Sequence, residues 1–172
     1  MDFFTVPTIT FGVLYCLFII GHDRRRILHL NVTRHPTSAW IIQQLRDAFP
    51  YNSAPRFLIF DRDSKYGLEV LIAVRSMSLT PVRTSFESPW QNGVAERWIE
   101  SSRRDLLDHV IAFHEPHLKR LLSEYVRYYH EDRTHLGLGK GTPLGRLRSA
   151  GTGQVMARPR LGGLHHRYER AA

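Results

Sequence analysis

The chain has 172 residues, of which 42% are hydrophobic and 11% aromatic, and this composition suits one folded domain rather than a disordered segment. A single cysteine, Cys16, excludes an intrachain disulfide and fits a reducing, cytosolic setting. The longest apolar run, from Phe11 to Ile20, is half the length of the roughly 20 residues that a membrane helix needs, and so predicts a buried strand. The formal net charge of +8 favours a polyanionic partner, most commonly nucleic acid.

The first third of the sequence predicts three consecutive β-strands. Apolar and β-branched residues dominate positions 2–6, 11–20 and 27–32. The segment 21–25 between the second and third strands is polar and begins with glycine, as a hairpin turn does. Three strands joined in this way predict an antiparallel meander.

Helices and strands alternate after the meander. Pro36, Thr37 and Ser38 form a helix-start signal, and apolar residues follow at helical spacing. Beyond Arg133 the periodicity disappears, which divides the chain into a core over residues 1–144 and an irregular basic tail over 145–172. The predicted elements are a helix from residue 37, a strand over 57–60, a helix over 67–77, a strand over 81–85, a long helix over 94–112 and a helix over 117–129.

This order of elements predicts an α/β fold with a mixed five-stranded sheet and helices on its faces. Three meander strands followed by two helix-linked strands match the ribonuclease H-like arrangement. A match at the level of fold says little about function, which has to be argued from a site.

Three acidic residues stand where such a fold could bring them together. Asp2 opens the first strand, Asp61 directly follows the fourth, and Glu96 lies in the first turn of the long helix. Clustered carboxylates repel one another unless a cation is present, and Mg²⁺ and Mn²⁺ prefer such oxygen ligands. Each residue also has an ordinary structural role, as a solvated terminal residue, a strand-end turn residue and a helix-dipole partner. Asp63 is a rival to Asp61 for the second position.

Four segments resemble the integrase core superfamily, which includes retroviral integrases and bacterial insertion-sequence transposases. The segment Ser88-Pro-Trp-Gln-Asn-Gly-Val-Ala-Glu96-Arg resembles the third signature of this family, whose glutamate is the last catalytic carboxylate. Asp2-Phe-Phe-Thr-Val resembles the first motif and Phe57-Leu-Ile-Phe-Asp61-Arg-Asp the second. Tyr128 to Leu136 and the later Thr142-Pro143 resemble the closing motif, so the similarity covers about residues 2–143.

The resemblance implies DNA integration or transposition by a polynucleotidyl transferase of a mobile element. Asp2, Asp61 and Glu96 would hold two Mg²⁺ or Mn²⁺ ions, and water and then a DNA 3′-hydroxyl would attack a phosphodiester. The family also implies DNA as partner, a possible homo-oligomer, no membrane association, and a location in the bacterial cytoplasm with the nucleoid. The family's usual residues after the second aspartate are Asn-Gly or Arg-Gly, whereas this chain has Arg62-Asp63.

Several side chains near the carboxylates are candidates for contact with DNA phosphates. Each is also compatible with an ordinary solvated surface, and for Asn92 a turn role is favoured because Asn-Gly prefers turns. Both Trp90 and Trp98 are predicted to be core residues rather than base-stacking platforms. Arg133 and His135 are predicted to brace the last helix. The DNA-binding candidates are Lys65, Asn92, Arg97, Arg103 and Arg104.

The chain begins one residue before Asp2, whereas family members usually have further strand residues and a helix-turn-helix region before it. This start predicts a truncated core in which the metal site is loose. An alternative hypothesis is therefore an inactive, nucleic-acid-binding remnant of a transposase. A third is a ribonuclease H-like nuclease, against which the segment leading to Glu96 argues.

Overall fold

A computed structural model describes residues 1–50, 53–86, 88–147 and 152–171. Within these ranges, seven strands and four α-helices alternate with short 3₁₀ turns. No helix in the described ranges is both long and apolar enough to cross a membrane. The elements are β1 (Asp2–Pro7), β2 (Val13–Ile20), β3 (Ile27–Thr33), α1 (Ser38–Ala48), β4 (Phe57–Phe60), α2 (Leu68–Ser76), β5 (Thr80–Arg83), α3 (Gly93–Asp105), α4 (Glu115–Glu131), β6 (Val155–Arg160) and β7 (His165–Arg170).

The predicted meander is confirmed. Strands β1, β2 and β3 pair antiparallel in that order, and Asp2 lies opposite Phe18 at the start of the first ladder. The side chains of β2 alternate between two cores, so that Phe18 packs under α3 and α4 while Ile19 packs under α1 and α2. Because both faces of β2 are covered, this strand is almost continuously apolar.

The predicted mixed α/β architecture is confirmed, but the predicted single five-stranded sheet is not. Among the described residues, β4 and β5 pair in parallel as a separate two-stranded sheet. The two sheets meet where the Met1 amine donates a hydrogen bond of 2.6 Å to the Ile59 carbonyl oxygen. Met1 also shares a buried cluster with Leu58 and Phe60. From Asp2 onward β1 pairs with β2. The strands β1 and β4 therefore meet only near Met1 and do not form a ladder.

The long helix predicted over 94–112 is wrong in length. Helix α3 ends at Asp105, and Leu106 leaves the helical conformation with φ −140° and ψ −60°. Residue Ala112 instead forms a parallel bridge with Thr8 at the end of β1. The chain after α3 is therefore drawn into the edge of the sheet, which leaves Ile111 exposed rather than on an inner helical face.

The irregular structure predicted from residue 145 onward is also wrong for the described part of that segment. Strands β6 and β7 form an antiparallel hairpin, while residues 148–151 and 172 of the predicted tail lie outside the described residues. Asp132, at the end of α4, holds the hairpin by contacts of 2.6 Å with Arg160 and 3.4 Å with Arg167. Charge pairing with the core, rather than a large apolar face, positions this hairpin.

Candidate active site and neighbouring groove

Asp2 is buried at the start of β1, with 6% of its surface exposed. Its Oδ1 accepts a hydrogen bond of 2.7 Å from the Phe3 backbone amide. Its Oδ2 accepts a longer one of 3.3 Å from the Asn92 side-chain amide. The strand and the turn before α3 thus fix this carboxylate from two sides.

Asp61 and its rival Asp63 have different partners. Asp61 directly follows β4 and its Oδ1 accepts from the Asp63 backbone amide at 3.1 Å, which shapes the turn. Asp63 pairs with the Lys65 ammonium at 2.6 Å and also accepts from the Lys65 backbone amide. Burial alone would raise the pKa of Asp63, but these Lys65 contacts hold it below its ordinary value. Asp63 is therefore held by Lys65.

Glu96 lies in the first turn of α3, as the loop-to-helix motif predicts, and is half-buried. Burial raises the pKa of Glu96, and the nearby charges of Asp61 and Glu100 raise it further. Asp61 and Glu96 line the same cleft, so the end of β4 lies close to the start of α3.

The three carboxylates line one cleft of about 290 Å³. Burial raises the pKa of Asp2 to about 7; the Phe3 amide opposes this shift, and Asp61 and Glu96 add to it by repulsion. Within the described residues, however, no three His, Cys, Asp or Glu side chains are arranged to hold one metal ion. The carboxylates therefore line the same cleft, but they do not surround a single point. The lining residues are Asp2, Asp61, Arg62, Asp63, Thr84, Ser85, Phe86, Ser88, Asn92 and Glu96.

The turn before α3 is held at this cleft by Gln91 and Asn92, and a turn role is the one that the Asn-Gly pair predicts. The Gln91 side chain accepts from the Ser85 amide at 2.7 Å and donates to the Ser85 hydroxyl at 3.2 Å. Asn92 is 2% exposed, and its Oδ1 is buried without a hydrogen-bond partner. Carboxylate and amide oxygens are the donors that Mg²⁺ and Mn²⁺ prefer, so the donor set fits a divalent cation. An unsatisfied buried oxygen at this place adds to that fit.

The predicted DNA-binding residues occupy several different places. Arg97 and Arg104 line a second, adjoining groove on α3, which is described below. Arg103 is exposed and its side chain reaches the Thr5 carbonyl oxygen at 3.4 Å. Lys65 is engaged by Asp63, and Asn92 is buried against Asp2 rather than exposed on the surface.

The two tryptophans differ, contrary to the prediction that both belong to the core. Trp98 is 1% exposed and packs against Phe18 with ring centroids 4.3 Å apart. Trp90 is 72% exposed on the 3₁₀ turn Pro89–Asn92. The apolar character of Trp90 suggested burial, but the turn points this residue out of the fold.

The closing motif has a bracing role, as predicted for Arg133. The Arg133 guanidinium contacts Asp105 at 2.7 Å and donates to the Ser101 hydroxyl at 3.1 Å, which ties the end of α4 to α3. Arg24, in the turn between β2 and β3, donates to the carbonyl oxygens of Thr142 and Pro143. The motif therefore joins the meander, α3 and α4.

Comparisons with known proteins agree with this architecture. Residues 77–143, which include Glu96 but neither Asp2 nor Asp61, match the integrase core domain family. The fold is similar to a chain in a cryo-EM structure of the simian T-cell lymphotropic virus intasome in complex with PP2A regulatory subunit B56 gamma. That likeness has a TM-score of 0.67 at 14% sequence identity, and covers 99% of this chain and 65% of the other.

At this identity the structural likeness shows the fold, and the chain spans less than two thirds of the length of the viral chain it matches. No curated protein sequence matches the chain. The matched family segment contains the signature around Glu96 and the closing motif, and the similar fold extends over almost the whole chain. These findings show that residues 77–143 are similar to the integrase core domain family and that the whole chain has a fold similar to that of the viral chain.

Proposed function

We propose that this chain is an integrase-type catalytic core that cleaves DNA strands and transfers them with the help of divalent metal ions. The observation that carries the proposal is that Asp2, Asp61 and Glu96, from three distant parts of the sequence, line one cleft. Burial raises the pKa of Asp2 to about 7, and repulsion from Asp61 and Glu96 adds to this rise. A bound cation would relieve that repulsion.

Asp2, Asp61 and Glu96 would hold the metal, with two Mg²⁺ or Mn²⁺ ions expected. Bound ions of this kind activate a nucleophile and neutralise charge at a phosphodiester. The protein's own contribution is positional. Asn92 holds the Asp2 carboxylate, and Gln91 pins the turn that leads into α3, so Glu96 faces the aspartates from a fixed helix.

DNA is the proposed substrate and partner. The net charge of +8 favours a polyanion in general, and exposed arginines on α3 lie close to the carboxylate cleft. The similar viral chain comes from an intasome, and we propose by analogy that this chain also assembles as a homo-oligomer on DNA. A bacterial cytoplasmic location with the nucleoid, and an origin in a mobile element, complete the proposal.

Nicking of supercoiled DNA in Mn²⁺ tests the proposed activity. Glu96→Gln keeps the shape of the side chain but removes its charge, and should abolish nicking and strand transfer. Glu69→Gln is the matched control, because Glu69 is also an acidic residue in the first turn of a helix but is exposed on α2, outside the cleft. Equal nicking by the Glu96→Gln variant and the unmodified chain would rule out the carboxylate site.

The second candidate function is DNA binding without catalysis. It is favoured by Arg97 and Arg104, which line a groove beside α3 and can contact DNA phosphates without a metal ion. DNA binding by the unmodified chain with no Mn²⁺-dependent nicking would support this alternative.

A further inference from the structure

A second cavity, of about 680 Å³, lies beside α3 and adjoins the carboxylate cleft through the turn before that helix. We call it the arginine groove. One acidic residue, Glu100, faces four arginines among the groove's lining residues. The groove is defined here by Trp90, Arg25, Arg97, Arg104, Arg133 and His135.

The arginines of the groove come from three separated parts of the chain and are held to different degrees. Arg133 is fixed by Asp105 and Ser101, so its position is set by the core. Arg104 contacts Asp105 at 3.3 Å but leaves 68% of its side chain exposed. Arg97 is exposed and forms no ion pair within the described part of the chain. Fixed and free guanidinium groups around one concavity make a surface suited to phosphate.

His135 also lines this groove, beside its arginines. The residue is 4% exposed, and its ring packs against Tyr129 with ring centroids 4.6 Å apart. Its Nδ1 lies 3.4 Å from Arg133, which can only donate, so the ring proton belongs on Nε2. Burial and the charges of Arg133 and Arg25 lower the pKa of His135 to about 4, which keeps the ring neutral. The positive charge of the groove therefore comes from its arginines.

Trp90 provides an aromatic face at the same groove. It is 72% exposed, and it stands on a turn that Gln91 fastens to Ser85. An exposed indole on a fastened backbone loses little freedom when a flat ring stacks on it. Every nucleobase has such a face, so aromatic stacking beside a basic groove is the usual way to hold unpaired nucleotides.

We propose that the arginine groove binds an unpaired nucleotide of a DNA strand, with its phosphate among the arginines and its base stacked on Trp90. This inference rests on the proposed function in taking DNA as the polyanion. The groove and the carboxylate cleft share the turn over residues 90–93, so a strand held on Trp90 lies next to the carboxylates. Trp90 would then select unpaired over fully paired DNA close to the cleaved bond.

Binding of a fluorescent oligothymidylate, measured by anisotropy in EDTA, tests the proposal without any metal-dependent step. An abasic oligonucleotide of equal length serves as the second probe, because it offers the same phosphates without bases. Trp90→Ala should weaken binding of the thymidylate about tenfold and leave binding of the abasic strand unchanged. Trp90→Phe should restore most of the affinity. Arg97→Ala should weaken both probes to a similar extent.

Phe11→Ala is the matched control, since Phe11 is an aromatic residue that is 96% exposed at the turn after β1. It should bind both probes normally. Loss of both probes to the same degree in Trp90→Ala, or of neither, would overturn the stacking role. If Trp90→Ala binds normally while Glu96→Gln abolishes Mn²⁺-dependent nicking, the groove inference fails and the proposed function stands. If Trp90→Ala loses the thymidylate but the unmodified chain never nicks, the groove stands without the catalytic proposal.

Discussion

The charge on Asp2 should destabilise the metal-free protein, and Asp2→Asn should remove that effect. Asp2 is 6% exposed, and burial raises its pKa from 3.8 to about 7. Because the folded-state pKa lies above the ordinary value, protonated Asp2 favours folding fully below pH 3.8, and this contribution is lost as the pH rises through 7. The gain from Asp2→Asn should therefore be largest above pH 7 and shrink towards pH 3.8.

The size of the effect follows from the pKa shift. A rise in the pKa of Asp2 from 3.8 to about 7 corresponds to an upper limit of about 4 kcal/mol in the free energy of unfolding. Local relaxation around the carboxyl group reduces this, and we expect about 2 kcal/mol, or a rise in Tm of roughly 4–8 °C. The introduced amide can be accommodated, because the unpartnered Asn92 Oδ1 can accept from it after rotation of the Asn92 side-chain amide.

Thermal and urea denaturation in EDTA at acid, neutral and mildly alkaline pH measures this prediction. Asp108→Asn is the control, because Asp108 is exposed and should show almost no pH-dependent gain. Added Mn²⁺ should stabilise the unmodified chain more than the Asp2→Asn variant. A destabilised variant at alkaline pH, or a gain that is independent of pH, would refute the reasoning from burial and repulsion.

Three further experiments test the fold around the site. Arg133→Ala removes the nearer guanidinium from the buried Asp105 carboxylate and leaves only the largely exposed Arg104 beside it, so it should cost about 3 kcal/mol in urea unfolding. Arg120→Ala, which breaks an exposed pair on α4, should cost less than about 1 kcal/mol, and equal losses would count against a buried brace. Asp132→Asn should loosen the β6–β7 hairpin and speed its cleavage by trypsin, whereas an unchanged cleavage rate would show that the hairpin is held elsewhere. Cys16 is buried and its pKa is raised, so a thiol reagent should modify it in denaturant but not in the native protein; rapid native reaction would contradict its place in the core.

Local patterns were enough to predict most of the core. Phe57–Phe60 is a strand with the predicted bounds, and α1 begins at the predicted signal, where the Thr37 hydroxyl accepts from the Trp40 amide at 3.2 Å. Alternation in strands and spacing in helices are short-range consequences of burial on one face. The signature leading to Glu96 likewise predicted the loop and helix that position this carboxylate.

The differences arise where distant residues decide the local structure. The apolar spacing after Asp105 suits a longer helix, but pairing of Ala112 with Thr8 ends it. The hairpin after residue 154 was missed because its strands are mostly polar, although Gly162 and Gly163 at its turn were a usable signal. The ion pair between Asp132 and Arg160 joins residues that are distant in the sequence, so no local sequence pattern predicts it.

The site likewise combines features that local patterns predict with features that depend on contacts in the folded chain. The sequence predicted which carboxylates belong to the cleft, but it left Asp61 and Asp63 as rivals. Both residues line the cleft, and the pairing of Asp63 with Lys65 depends on the conformation of the turn after β4, which the sequence does not reveal. Nor did the sequence predict that Trp90 would be exposed, because its type alone favours burial.

Nicking of supercoiled DNA in Mn²⁺ by Asp61→Asn and Asp63→Asn, measured side by side with the unmodified chain, tests most directly whether the cleft is a metal-dependent DNA-cleaving site. Each substitution removes one carboxylate charge from the same turn. The two differ because the Asp63 carboxylate is paired with the Lys65 ammonium. We predict that Asp61→Asn abolishes nicking and that Asp63→Asn retains it. Nicking by Asp61→Asn at the rate of the unmodified chain would contradict the account.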